Sequence, residues 1–175
     1  MTFLDTTNLE YVTLGALGLF FIAIAWLLAE FKGMKDEIKE RLGINNETIK
    51  LRLQAYERLT LFAERVTLNN LITRLPSDGV SAHVMQLAMV ESIKSEYDYN
   101  VSQQIYVGND MWKAITKLRD QNIYIIYQVA STLPPNASAM DLNKHILEYS
   151  IVNKNAELSG IVLDALRYET KKLFK

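Results

Sequence analysis

From Tyr11 to Ala29 the chain runs 19 residues without a charge, YVTLGALGLFFIAIAWLLA. As a helix such a run is about 28 Å long, close to the roughly 30 Å hydrocarbon core of a bilayer. A stretch of this kind is either a cleaved signal peptide or a retained membrane helix. The first needs a basic leading region, a shorter apolar core and a small-residue cleavage site. Here Asp5 and Glu10 precede the run with no Lys or Arg, and no A-x-A site follows it in a polar context. A retained transmembrane helix over residues 11–29 is therefore predicted. All 19 basic residues lie after it, with Lys32, Lys35, Lys39 and Arg41 close behind. Basic residues near the ends of a span mark its cytoplasmic side, so residues 1–10 are expected outside and the C-terminal part in the cytoplasm. Tyr11 and Trp26 fall near opposite ends of the run, where amphipathic rings settle at the headgroups.

Within the run, Gly15, Gly18, Ile22, Ala25 and Ala29 recur in steps of 3, 4, 3 and 4. Four small residues thus share one helical face, and Leu14, Leu17, Phe21, Ile24 and Leu28 read as a bulky face opposite. Small faces let helix backbones approach closely in lipid, where packing drives association. The expectation is a helix–helix contact, with a protein partner or a second copy.

The remainder is electrically balanced, with 19 basic and 18 acidic residues from Glu30 onward. A nucleic-acid binder carries a basic excess or stripe, so no nucleic acid is expected as partner. The absence of cysteine removes disulfides, thiolate metal sites and Cys nucleophiles. Apolar spacing predicts an all-α chain: one transmembrane helix, then a small cytoplasmic bundle of about five helices. Phe31, Met34, Ile38 and Leu42 continue an apolar stripe through a juxtamembrane extension over 30–43, which Gly43 is read to stop. The helical domain then covers 44–175. Its first helix spans about 46–66 on a stripe of Ile49, Leu53, Tyr56, Leu59 or Thr60, Ala63 and Val66. The stripe of residues 31–42 is expected to dock on it as an antiparallel hairpin.

A short turn, LNNLITRL, leads to the break Pro76-Ser77-Asp78-Gly79. Ser81 should cap a helix to about Asn100 that buries Val84, Leu87, Met89 and Ile93. Residues 101–108 read as helix tail plus loop. Asn109 caps a helix through Leu133 with Trp112, Ile115, Leu118, Ile125, Ile126 and Val129 inward. Pro134 and Pro135 end it. Ser138 with Asp141 resembles a capping box and opens a helix through Val152. A last helix runs from Asn155 to Leu173.

Chemistry-bearing patterns are few. His83 and His145 are the two histidines, and neither takes part in a His-x-x-x-His or repeated Glu-x-x-His metal pattern. The seven glycines form no phosphate-binding loop. Glu57, Glu64, Glu91, Glu96 and Asp98 stand near Arg58, Arg65 or Lys94 and read as solvated pairs. No catalytic residue, no cofactor and no metal site is expected. The Asn-x-Ser/Thr matches at Asn46, Asn100 and Asn136 are chance occurrences in a cytoplasmic domain. The unusual stretch is residues 96–112, which gathers Tyr97, Tyr99, Tyr106 and Trp112 at a helix junction. Such rings either cap the bundle core or form a partner surface.

LQAYERLTLFAERVTLNNLITRL, from Leu53 to Leu75, together with EYDYNVSQQIYV, from Glu96 to Val107, resembles a family of uncharacterised small membrane-anchored proteins of Bacteroidota. The resemblance implies a bacterial inner-membrane setting and names no site residue. The function expected is a membrane-tethered adaptor or scaffold working by protein contacts at the cytoplasmic face. Rival readings are an accessory subunit docked through its span, and a bundle that binds a small ligand or catalyses without a recognisable motif.

Overall fold

The computed structural model describes residues 3–153 and 158–174, apart from the side chains of residues 3–10, 12 and 13. Among them the chain is all-helical: α1 (Phe3–Arg65), α2 (Leu68–Arg74), α3 (Ala82–Asn100), a 3-10 turn (Val101–Ile105), α4 (Asn109–Ser131), α5 (Ala139–Val152) and α6 (Leu158–Lys172). It divides into two compact units, Met1–Thr48 and Ile49–Lys175.

The first unit is a single stretch of α1. Its apolar run mixes the strong helix formers Leu and Ala with middling Phe and Ile and two glycines, and its polar part is laced by neighbours one turn apart. Arg41 pairs with Glu37 at 2.8 Å, and the Thr48 hydroxyl donates to the Ile44 carbonyl. Gly43 does not stop the helix, so the expected hairpin does not form. A glycine stop needs the left-handed conformation, and among the described residues only Gly79 has positive φ, at 71°. Within a helix a glycine costs only about 1 kcal/mol relative to alanine, too little by itself to end it. Phe31, Met34, Ile38 and Leu42 are consequently exposed, Ile38 at 58%.

The second unit is a helical bundle. The last turns of α1, with Val66 just beyond them, bury Tyr56, Leu59, Ala63 and Val66 as the spacing predicts; Ala55 and Phe62 are additions, and Ile49 and Leu53 of the expected stripe are only partly buried. α3 packs on α4 and α5, α4 on α5 and α6, and α2 on α3 and α5. An ion pair from Arg65 and hydrogen bonds from Arg58 to the C-terminal part of α3 show that the part of α1 in this unit runs antiparallel to α3. On α3 the buried row is Ala82, Met85, Met89 and Ile93, at i, i+3, i+7 and i+11, with Val90 beside it. Val84 and Leu87, expected inside, are exposed, because they lie one and two residues off that row. α4 buries Ile115, Leu118, Ile125, Ile126 and Val129 as expected, Trp112 only partly.

Local capping fixes the ends. The Ser81 hydroxyl accepts the Val84 N–H, and Ser138 with Asp141 closes a full capping box. The two cap segments also bond to each other through Ala82 N–H to Ala137 carbonyl and Ala139 N–H to Val80 carbonyl, both 2.9 Å. That short bridge ties the starts of α3 and α5 together. α4 begins at Asn109, with Gly108 in the capping position that Asn109 was expected to hold. Residues 101–105 wind into the 3-10 turn where helix tail and loop were expected. The expected start of the last helix at Asn155 lies outside the described residues. At the heart of the bundle, buried Asn122 of α4 donates its side-chain amide to the Val66 carbonyl at 2.7 Å. A carbonyl just past the end of α1 would otherwise be costly to bury unpaired.

Candidate functional site

Two surfaces stand out, one in each unit. In the first, α1 is the one helix among the described residues long and apolar enough to cross a membrane. Its most apolar 18-residue window reaches a mean hydropathy of 2.1 and is 0% buried. Tyr11 and Trp26 are both exposed. A side chain added at Gly15 or Gly18 would meet nothing within 4 Å, so neither glycine is required by packing inside the chain. At 3.6 residues per turn, Gly15, Gly18, Ile22, Ala25 and Ala29 share one face of this helix. Leu14, Leu17, Phe21, Ile24 and Leu28 are not opposite that face. Each precedes a member of the small row by one residue, which sets the two rows only about 100° apart. The large residues that do oppose the small face are Phe20 and Leu27, both exposed.

In the second unit the aromatic stretch separates into two settings. Tyr97 is partly buried, 6.1 Å from Phe62 edge-on and 5.3 Å from Trp112, with the Arg119 guanidinium 4.1 Å above its ring. Its hydroxyl shares a hydrogen bond with Thr116 at 3.2 Å. These contacts make Tyr97 and Trp112 a lid on the bundle core. Tyr106 is also partly buried, just past the 3-10 turn. Tyr99 is 72% exposed and lies under the Arg58 guanidinium at 4.7 Å. Arg58 donates to the Tyr99 carbonyl at 3.1 Å and to the Asn100 side chain at 3.3 Å. Exposed Val101 and Ile105 follow on the 3-10 turn. The structure thus brings Tyr97 and Trp112 together and sets Tyr99 apart.

From the sequence, Arg58 and Arg65 read only as members of solvated pairs, and Arg74 is not marked at all. Arg58 and Arg65 are seven residues apart, hence on one face of α1, and that spacing is the signal that marks them. Glu96, read as a solvated partner of Lys94, is 17% exposed and held between Arg65 at 3.0 Å and Arg74 at 3.6 Å. Three elements are thereby pinned at one carboxylate.

Both histidines are exposed. His145 donates from Nδ1 to the Asp141 carbonyl at 2.8 Å. It lines a shallow groove of about 440 Å³ with Val129, Thr132, Glu148 and Tyr149. A second groove, about 450 Å³, runs along α4 past Trp112, Lys113, Lys117 and Asp120. Among the described residues no three His, Asp or Glu side chains gather as a metal site would require. The Asp141 carboxyl is held below its ordinary range, first by the Ser138 hydroxyl and then by the Ser138 backbone N–H.

The family of unknown function DUF7935 matches residues 5–173 of the chain. No curated protein matches it. No solved structure matches it either.

Proposed function

We propose that the chain, which belongs to this family of unknown function, is a membrane-tethered helical scaffold of a bacterial inner membrane, such as that of Bacteroidota. Residues 11–29 cross the bilayer, the N-terminus lies outside, and the helical domain works in the cytoplasm by binding other proteins. The observation that carries this reading is the exposed apolar stretch of α1, which has no place in water. The basic residues that follow it supply the orientation. In the bundle, exposed Tyr99, Val101 and Ile105 beside Arg58 offer the aromatic, apolar and arginine character typical of protein contacts.

A second reading is favoured by the open glycines: an accessory subunit seated against another membrane helix through the small face. Gly18→Leu or Ala25→Leu would then push the backbones apart. Co-purification from native membranes in mild detergent tests this. Both variants should lose the partners that the wild type retains, and Leu17→Ala should keep them. Equal effects from all three would count against a specific face.

A further inference from the structure

We infer that residues 31–45 form the seam of a parallel pair with a second copy of this chain. The inference rests on the reading of residues 11–29 as a span, which points both copies the same way. Phe31, Met34, Ile38 and Leu42 are spaced 3, 4 and 4 apart, and one further step of 3 reaches Asn45. All five are exposed in the first unit. Steps of 3, 4 and 4 repeat every 11 residues, the period at which a nearly straight helix keeps one face toward a partner.

The polar member identifies the occupant. An asparagine in line with four large apolar residues gains nothing from an apolar surface. Against its own copy, each side-chain amide can donate to and accept from the other, and a single such asparagine fixes register in parallel pairs. Charge agrees with this arrangement. Glu30 and Lys35 flank the row on opposite sides at a separation of five residues, which brings them face to face across a parallel pair. Glu37 is already held by Arg41 on its own helix at 2.8 Å. The seam is only about four turns long, too short to associate from dilute solution, but tethering in a bilayer raises the local concentration.

The same geometry divides the helix between two partners. Phe31 lies two residues, about 200°, round from Ala29, so the seam is on the side opposite Gly15, Gly18, Ala25 and Ala29. A pair joined along the seam leaves both small faces turned outward for other membrane helices.

The chain contains no cysteine, so single introduced cysteines report without background. In native membranes, full-length Ile38→Cys and Leu42→Cys should oxidise to covalent dimers roughly tenfold faster than Asp36→Cys and Glu40→Cys on the far side, because only Cβ atoms about 4 Å apart bridge without strain. Lys35→Glu should slow the Leu42→Cys reaction, and adding Glu30→Lys should restore it. Equal rates on both sides, crosslinks only to a different protein, or no dimer would overturn the pair and leave the row to another protein or the bilayer surface. Alkaline extraction of the same membranes reads the span separately. Release of the chain would defeat the span reading alone, and the crosslinking pattern would still decide the pair.

Discussion

Asn122 shows how much one buried polar side chain can carry. It satisfies the Val66 carbonyl from 56 positions away, and no local pattern reveals such a partner. Asn122→Ala should destabilise the bundle by about 1–3 kcal/mol, since a buried carbonyl is left unpaired. Denaturant unfolding of the purified full-length chain measures this, and an unchanged midpoint would mean that water takes over the bond. Ser138 and Asp141 are the opposite case. Their reciprocal bonds lie within four residues, so the capping box was legible in the sequence. With its folded pKa lowered, Asp141 contributes stability that is present above its unfolded pKa and lost as pH falls through the folded value. The stability of the wild type should therefore drop more steeply below about pH 4 than that of Asp141→Asn. Parallel curves from acid-dependent melting would remove the carboxylate from the account.

At the scale of elements, periodicity located the helices because core-facing rows repeat at helical spacing. Ends and phase were less legible. Gly43 looked like a stop because glycine so often ends helices, yet only its backbone conformation decides, and that depends on neighbours. On α3 the apolar residues surround most of the helix. Val84 and Leu87 therefore competed with Met85 and Val90 for the inward face, and packing against α4 and α5 chose. Two glycines turn this lesson into a paired test. A Cβ at Gly43 or at Gly79 would meet open space, but only Gly79 has positive φ. Gly43→Ala should raise helix stability by roughly 0.5–1 kcal/mol, and Gly79→Ala should lower bundle stability by about 1–2 kcal/mol. Circular dichroism melts of the two variants in one detergent check both signs. Destabilisation at Gly43 would restore a break in α1 at that point.

For the whole molecule, the apolar stretch and the charge-balanced remainder behind it were both visible in the order of the residues. What the residues could not display was the separation of the aromatic stretch. Tyr97 and Trp112 close a core while Tyr99 stays outside, because the contacts with Phe62, Arg119 and Arg58 come from other helices. The proposed scaffold would use the two surfaces left open, on α1 and beside Arg58. That account depends first on which side of the membrane the bundle occupies. Fusions of alkaline phosphatase and of a fluorescent protein to the C-terminus decide this directly. The account predicts an inactive phosphatase and a fluorescent reporter; an active phosphatase on the periplasmic side would contradict it.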